Sequence, residues 1–265
     1  NIDYIFINSN RENFGLCNLL KNAKILSKII SVRKPDLIYA ISHRSIFLVR
    51  LSCLFRNFNA IYAITGMGSI FTFNKKILIN LFLKILRKIV IYFYRYIIKQ
   101  KGSYFILQNQ DDLNFLISNK IANKNNAFIV PGNGLPDKYF SSEISNNKNF
   151  KFIMVSRILR DKGVIEYLSA AQKITHEFPD CEFELFGAFD ENNPQSIKKS
   201  EIERYLTPNI RFKGFEKNIK HRILQSNVLV LPSYREGFAR VLMEAQACSR
   251  PVITSNISGC KDVIV

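Results

Sequence analysis

Short apolar segments alternate with longer amphipathic segments along almost the whole sequence. In the first half, the apolar runs have the length of buried strands, and the segments between them have the length and periodicity of helices. The predicted strands are 4–7, 36–40, 60–65, 104–108 and 127–130, and the predicted helices are 16–32, 44–56, 75–101 and 111–119. This alternation predicts parallel strands joined by helical connections, as in a doubly wound α/β sheet.

The same alternation restarts after a polar stretch at residues 141–149. The predicted strands of this second part are 151–155, 182–186, 210–213, 228–231 and 251–254, and the predicted helices are 163–177, 217–226 and 239–248. A chain of 265 residues is long enough for two modest domains. The sequence therefore predicts two Rossmann-like domains, residues 1–140 and 150–265, joined by a linker at 141–149.

The two ends of the sequence lie inside these predicted domains. The chain starts at Asn1 rather than at Met, and it stops at Val265 within an apolar run. No apolar run near the start leads into a small-residue cleavage site, so we expect no signal peptide there. We expect the first domain to be incomplete at its start and the second to be incomplete at its end.

Cysteine and acidic residues indicate the compartment and the metal content. The cysteines are Cys17, Cys53, Cys181, Cys248 and Cys260. An odd number of cysteines without a CxxC pair favours neither a disulfide framework nor a zinc site, and it fits a reducing cytosol. Asp111 and Asp112 open a predicted helix and are interpreted as its cap. Since no DxD pair or histidine cluster is present, the sequence predicts neither a metal nor a cofactor.

Positive charge is concentrated in the first half of the sequence. The formal net charge is +17, with 21 basic and 7 acidic residues in 1–150 but 17 and 14 in 151–265. Such a field attracts phosphates, nucleic acid or an anionic membrane surface. The alternative is a composition rich in Ile, Asn and Lys, which is typical of AT-rich coding sequence.

Residues 75–101 carry much of this charge. They contain eight basic residues and no acid, and their longest uncharged run is seven residues, which is too short to cross a bilayer. Helical periodicity places most of the cations on one face and the aliphatic and aromatic residues on the other. The pattern predicts a basic amphipathic helix that either lies on an anionic membrane or packs its apolar face on the sheet.

Two cations follow the first strand of the second predicted domain. Arg157 and Lys162 lie in the segment SRILRDKG, which connects that strand to a helix. Ligands of doubly wound sheets bind at the carboxyl ends of the strands, and a helix N-terminus there favours phosphate. These residues either neutralise a diphosphate or are two solvated loop cations.

Two carboxylates follow the predicted strand 228–231. Glu236 and Gly237 come just after the end of that strand, and Glu244 lies eight residues after Glu236 on the next helix. A carboxylate in this position can accept hydrogen bonds from a pair of hydroxyl groups on a sugar or a ribose. The alternative for Glu244 is an ordinary exposed glutamate on a helix.

Together, these segments resemble the retaining nucleotide-sugar glycosyltransferases of GT-B fold, family 4. The matching segments are SRILRDKGVIEYLSA (156–170), Gly187 and LPSYREGFARVLMEAQACSRPVITSNISGCKD (231–262). ITGMGSIF (64–71) and QNQDD (108–112) are similar to the bacterial members that build surface polysaccharide or lipid-linked oligosaccharide. The resemblance implies two Rossmann-like domains that face a cleft.

The resemblance also assigns roles to individual residues. It implies that Arg157 and Lys162 bind the donor diphosphate, that Glu236 contacts the transferred sugar, and that Glu244 holds the ribose. The catalytic residues it implies are Glu236, Arg157 and Lys162. The donor-binding residues it implies are Arg157, Lys162, Gly187, Glu236, Gly237, Phe238, Ala239 and Glu244.

Three residues are weaker candidates for the acceptor side. His43 follows the predicted strand 36–40, at a position where the family often has a cleft histidine, and Gly66 and Gly68 follow the strand 60–65. The alternative for His43 is a structural role. The two glycines form only a GxG, which lacks the third glycine and the later acidic residue of a dinucleotide fingerprint.

The function that the resemblance implies is transfer of a sugar, with retention, from a nucleotide diphosphate sugar to a lipid-linked or polysaccharide acceptor. The donor is expected to be a UDP-hexose or a UDP-N-acetylhexosamine, and the expected location is the cytoplasmic face of the cell membrane, without specific nucleic-acid binding. One alternative is an inactive basic protein that binds membrane or nucleic acid. Another is a nucleotide-sugar epimerase of the same fold.

Overall fold

The computed structural model describes residues 3–7, 16–54, 58–67, 77–98, 102–141 and 148–264. The chain divides into two compact units, Asn1–Val130 and Pro131–Val265. The division falls earlier than the predicted domain end at residue 140, because residues 131–141 pack on the second unit. There the Ser141 amide donates to the Ala247 carbonyl at 2.9 Å. Residues 142–147 of the predicted linker lie outside the described residues.

Among the described residues, the first unit contains a four-stranded parallel sheet covered by helices. Its elements are α1 (Leu16–Arg33), β1 (Leu37–Ile41), α2 (Ser42–Ser52), β2 (Asn59–Ile64), α3 (Ile77–Ile98), β3 (Ser103–Leu107), α4 (Gln110–Ser118) and β4 (Ala127–Ile129). The strands pair in the order β1-β2-β3-β4. Because all of them run in the same direction, their carboxyl ends share one edge of the sheet.

The core of this unit lies between the sheet and its helices. Tyr62 on β2 and Phe105 on β3 are completely buried, and Tyr94 and Ile97 of α3 pack into the same core. β2 and β3 are nearly continuous apolar runs, although Tyr104 on β3 remains exposed. This explains why short apolar runs were sufficient to predict the sheet.

Two local predictions for the first unit are wrong. Residues 3–7 form no strand, and the side chains of Tyr4 and Phe6 are largely exposed, because no described strand pairs with them. The cap of α4 is Asn109 rather than the two aspartates, since the Asn109 side chain accepts a hydrogen bond from the Asp112 amide at 2.8 Å. An asparagine oxygen satisfies a free amide at a helix start as well as an aspartate does.

The described part of the second unit contains a five-stranded parallel sheet. Its elements are β5 (Lys151–Val155), α5 (Val164–Glu177), β6 (Glu182–Phe186), α6 (Lys199–Glu203), β7 (Ile210–Gly214), α7 (Ile219–Leu224), β8 (Val228–Leu231), α8 (Arg240–Ala247) and β9 (Val252–Thr254). The strand order is β7-β6-β5-β8-β9. The chain therefore builds outward from β5 in one direction and then returns to the other side of β5 with β8. The predicted doubly wound α/β class is confirmed.

The long basic helix α3 does not have the character of a membrane span. Of the helices in the described ranges, none combines the length and the apolar character needed to cross a bilayer. Within α3, the structure describes the side chains of residues 84–97.

Candidate active site

The strand order of the second unit places two loops side by side. β5 and β8 are adjacent parallel strands, so the segments that follow them leave the same edge of the sheet. The direction in which the chain builds the sheet reverses between these strands, and ligands of doubly wound sheets bind in the crevice at such a point. The two loops are residues 156–163 and residues 232–239. They contain most of the predicted donor-binding residues.

The two loops are joined by an ion pair between Lys162 and Glu236. The Lys162 Nζ and Glu236 Oε1 atoms are 2.7 Å apart, and each side chain is only 15% exposed. The Ser233 hydroxyl donates to the same carboxylate oxygen at 2.8 Å. Two of the residues that the sequence assigned to one site are therefore brought together, and the Glu236 carboxylate is held by two donors.

The backbones of the two loops also approach closely. Gly163 has a φ of 75°, in the left-handed region, and a Cβ atom added there would lie 2.2 Å from the Pro232 carbonyl oxygen. The Tyr234 amide donates to the Asp161 carbonyl at 2.9 Å. Glycine is required at position 163 both for its conformation and for the absence of a side chain.

Tyr234 makes a further link that the sequence did not predict. Its hydroxyl donates to Glu166 Oε1 at 2.6 Å, and Glu166 lies in the first turn of α5. The hydrogen bond to this carboxylate, with a smaller effect of burial, raises the pKa of Tyr234. The loop after β8 is thus fixed to the helix that follows β5.

Arg157 takes a different partner from Lys162. Its Nη1 atom lies 2.9 Å from Asp190 Oδ2, and the Arg157 side chain is 52% exposed. The structure therefore does not join Arg157 to the Lys162–Glu236 pair by a direct contact. Gly187, which follows β6, lies against the same loop, since an added Cβ atom would stand 1.8 Å from the Ser156 carbonyl oxygen.

Glu244 lies in the interior of the second unit, although it is on a short helix. Its side chain is 10% exposed, and Arg240 Nε lies 2.9 Å from its Oε1 atom. Tyr139 lies near this carboxylate, and burial together with the Glu244 charge raises the pKa of the tyrosine. The alternative of an ordinary exposed glutamate is wrong. Neither Arg240 nor Tyr139 was singled out by the sequence motifs.

The remaining predicted donor-side residues lie between Glu236 and α8. The Ala239 amide donates to the Gly259 carbonyl at 2.7 Å, which ties this segment to the loop after β9. The Phe238 ring lies against Gly132 and lines an apolar cavity of about 840 Å³. Gly237 connects Glu236 to this ring. The structure therefore gives Phe238 a packing role within the second unit.

Two of the three acceptor-side candidates are in contact in the first unit. His43 is the second residue of α2, directly after β1, and its Nε2 atom is 2.9 Å from the Gly66 carbonyl oxygen. Its Nδ1 atom is 2.5 Å from the Tyr94 hydroxyl. Gly68 lies outside the described residues. Both ring nitrogens of His43 thus have hydrogen-bond partners, which favours a positioning role.

Within the part of the chain that the structure describes, no group of three or more His, Cys, Asp or Glu side chains is arranged to hold a metal ion.

Solved structures identify the fold. Over 97% of this chain, sucrose-phosphate synthase from Thermosynechococcus elongatus superposes with a TM-score of 0.77 at 20% identity, and 65% of that protein is covered. Anabaena HepE, solved with UDP and glucose, superposes over 94% of this chain and 65% of its own, with a TM-score of 0.73 at 17% identity. The fold is that of the GT-B glycosyltransferases.

A family model matches the C-terminal part of the chain. The model of the family described as glycosyl transferases group 1 matches residues 137–265. The second unit of the chain is therefore similar to the glycosyl transferases group 1 family, and the predicted resemblance to family 4 is confirmed.

Two curated relatives illustrate the range of similarity. The capsular polysaccharide biosynthesis glycosyltransferase CapM of Staphylococcus aureus is 33% identical over 140 residues, which are 52% of this chain and 35% of CapM. The N,N'-diacetylbacillosaminyl-diphospho-undecaprenol alpha-1,3-N-acetylgalactosaminyltransferase of Campylobacter jejuni is 24% identical over 93% of this chain and 65% of its own length. The chain spans between about a third and two thirds of these relatives.

Proposed function

We propose that this protein transfers a sugar, with retention, from a nucleotide diphosphate sugar to a lipid-linked or polysaccharide acceptor. The single observation that carries the proposal is the Lys162–Glu236 pair at the edge of the sheet between β5 and β8. The names of the two bacterial relatives, one for capsular polysaccharide and one for a diphospho-undecaprenol acceptor, support the acceptor class. A UDP-hexose or a UDP-N-acetylhexosamine is the proposed donor.

Lys162 is the residue we assign to the leaving diphosphate. Negative charge grows on the diphosphate as its bond to the anomeric carbon breaks, and a preorganised cation stabilises that charge more in the transition state than in the ground state. The N-terminus of α5 begins directly after Gly163 and adds the positive end of the helix dipole. Arg157 contributes a second cation after exchanging Asp190 for a phosphate oxygen.

Glu236 is assigned to the hydroxyl groups of the transferred sugar. Its carboxylate already accepts hydrogen bonds from Lys162 and Ser233, which fixes its orientation. A nucleophilic carboxylate would have to lie next to the anomeric carbon. A carboxylate whose orientation is fixed by two donors is instead suited to accepting hydrogen bonds from sugar hydroxyl groups. We therefore propose that Glu236 positions the sugar. Glu244 is assigned to the ribose hydroxyls.

The experiment that tests this function is a thermal-shift screen of nucleotide sugars followed by a transfer assay. A UDP-sugar should raise the melting temperature of the wild type, and Lys162→Met should abolish most of that increase. Lys173→Met is the matched control, because Lys173 is an exposed lysine on α5 away from the two loops. If no nucleotide sugar stabilises the wild type, or if both variants respond like the wild type, the proposed donor site is wrong.

The same assay separates two alternatives. Conversion of the nucleotide sugar without any acceptor would indicate an epimerase. Salt-dependent binding of nucleic acid without binding of any nucleotide sugar would indicate an inactive basic binding protein.

We further propose that the protein attaches peripherally to the cytoplasmic face of an anionic membrane through α3. The sequence predicted cations and apolar residues on opposite faces of this helix, but its exposed side carries both. Ile85, Ile89 and Tyr92 are each more than half exposed and lie beside exposed Lys84 and Lys88. Apolar side chains that enter the headgroup region and cations that remain in it are the usual composition of an interfacial helix.

Vesicle co-sedimentation tests this attachment. Changing Lys84 and Lys88 to Gln should weaken binding to anionic vesicles at low salt, since each cation near such a surface contributes about 1 kcal/mol. Changing Lys120 and Lys124 to Gln removes the same charge from exposed positions elsewhere in the first unit and should have a smaller effect. Equal sedimentation of both variants and the wild type would show that α3 is not the attachment site.

A further inference from the structure

A chain of two hydrogen bonds connects α3 to the carboxyl edge of the first sheet. The Tyr94 hydroxyl on α3 lies 2.5 Å from His43 Nδ1, and His43 Nε2 lies 2.9 Å from the Gly66 carbonyl oxygen. His43 lies two residues after β1 and Gly66 two residues after β2, and these strands are adjacent and parallel. The imidazole therefore bridges the ends of two neighbouring strands.

The polarity of this chain follows from the chemistry of its ends. A carbonyl oxygen only accepts hydrogen bonds, so His43 Nε2 must carry the proton that it donates to Gly66. In a neutral imidazole Nδ1 is then an acceptor, and the Tyr94 hydroxyl donates to it. Burial raises the pKa of Tyr94 well above its ordinary value, which keeps the phenol protonated.

Packing holds both ends of the chain in place. Tyr94 is buried, and its ring meets the rings of His43 and Phe105 edge to face. On the other side, Ser42 has a φ of 77°, a left-handed conformation that a residue other than glycine adopts only at an energetic cost. This sharp turn between β1 and α2 directs the next residue, His43, toward Gly66.

We propose that Tyr94 is a positioning residue that sets the tautomer of His43, so that His43 holds the Gly66 carbonyl at the edge of the first sheet. In this arrangement His43 is a strut and not a base, because both ring nitrogens are engaged. The expected effect on catalysis is a lower kcat/KM for the acceptor, and this expectation rests on the proposed glycosyl transfer. The hydrogen-bond arrangement itself does not depend on that function.

Nitrogen-15 NMR of histidine-labelled protein tests the arrangement directly. The chain has three histidines, and His43→Gln assigns the signals of His43 by their loss. In the wild type, His43 should be the neutral tautomer protonated at Nε2. In Tyr94→Phe, the Nδ1 resonance should move downfield because this nitrogen loses its donor. A wild-type His43 protonated at Nδ1, or an unchanged Nδ1 resonance in Tyr94→Phe, would overturn the proposal.

Tyr62→Phe is the matched control. Tyr62 is also completely buried in this core, and its hydroxyl lies beside Ser103 rather than His43. Both variants remove one buried hydroxyl, but Tyr62→Phe should cost less stability, because the Tyr62 hydroxyl makes no hydrogen bond among the described residues. Only Tyr94→Phe should shift the His43 resonance. If Tyr62→Phe shifts it equally, the effect is general loosening of the core and the proposal fails.

Kinetics provide the functional readout. Tyr94→Phe should lower kcat/KM for the acceptor about tenfold, as expected for one neutral hydrogen bond, with an unchanged donor KM. His43→Gln keeps an N–H group that can reach Gly66, so it should retain more acceptor kcat/KM than His43→Leu. Equal loss in these two variants would overturn the role of His43 as a strut. If the wild type transfers no sugar, the proposed function fails, while the NMR result still decides the proposal about Tyr94.

Discussion

Lys162 and Glu236, which the sequence assigned separately to a diphosphate and a sugar, bind each other at 2.7 Å in the interior of the site. A lysine whose only partner was a bound phosphate could be replaced without loss of stability. Here its removal leaves a poorly solvated carboxylate that still accepts a hydrogen bond from the Ser233 hydroxyl. The two residues therefore contribute to the stability of the fold as well as to the proposed function.

The first prediction is that Lys162→Ala lowers the free energy of unfolding by about 2–3 kcal/mol, because a mostly buried carboxylate loses its charged partner. Lys162→Ala combined with Glu236→Gln should recover part of this loss. Urea unfolding of the two single variants and the double variant measures the coupling. Strictly additive effects would show that the ion pair has no role in stability.

The second prediction is that Arg157→Ala affects ligand binding but not stability. The side chain is half exposed, and exposed ion pairs such as the one with Asp190 contribute less than about 1 kcal/mol. Donor affinity should nevertheless fall about tenfold or more, measured by calorimetric titration. Arg160→Ala is the matched control, because Arg160 lies in the same loop in a similar exposed ion pair with Glu201. Equal affinity in the two variants would remove Arg157 from the donor site.

The third prediction concerns Glu244 and its neighbour Tyr139. Burial and the Glu244 charge both raise the pKa of Tyr139, so Glu244→Gln should lower that pKa by removing the charge. The same variant should raise the donor KM about tenfold with little change in kcat, because a ribose contact is equally present in the ground and transition states. Carbon-13 NMR of labelled tyrosine and steady-state kinetics measure the two effects. A reduced kcat with unchanged KM would contradict the assignment.

The fourth prediction is a pH dependence of stability that arises at Glu182. Burial alone would raise the pKa of this carboxyl, but hydrogen bonds from Arg211 and Asn149 outweigh it and hold the pKa below its ordinary value of 4.5. A lowered folded-state pKa means that the stabilisation is present above that ordinary value and is lost as the pH falls through the folded-state value. Glu182→Gln should therefore be less stable than the wild type near neutral pH and lose less stability on acidification.

Urea unfolding at about pH 7 and about pH 4 measures this difference. Glu203→Gln is the control, because Glu203 is an exposed glutamate with only a long ion pair to Lys199 at 3.9 Å. If Glu182→Gln and the wild type lose the same amount of stability on acidification, Glu182 is not a source of the pH dependence.

Local patterns were sufficient to predict most strands and the two loops that carry the candidate site. The candidate residues follow apolar runs at spacings that can be read from the sequence alone. These residues are Arg157, Lys162, Glu236 and Glu244. The sequence also places a loop after each strand, but it does not give the order of strands in the sheet. The adjacency of β5 and β8, which joins Lys162 to Glu236, is a property of the folded sheet.

Contacts between distant segments account for what the sequence missed. Tyr94 is one of many aromatic residues on α3, and nothing in its neighbourhood along the chain marks it as the partner of His43. Tyr234 and Tyr139 likewise reach Glu166 and Glu244 through contacts that no spacing reveals. The boundary between the two units differs from the predicted one for the same reason. Residues 131–141 pack against residues near Ala247, which come much later in the chain.

The hydrogen bond from the Tyr234 amide to the Asp161 carbonyl makes the integrity of this site observable at a single proton. That amide can exchange with deuterium only when the loops after β5 and β8 separate, although the strands beneath them can remain paired. Its protection factor therefore reports local opening of the site, separately from global unfolding. A bound ligand that bridges the two loops would slow this exchange while leaving amides of the first unit unaffected.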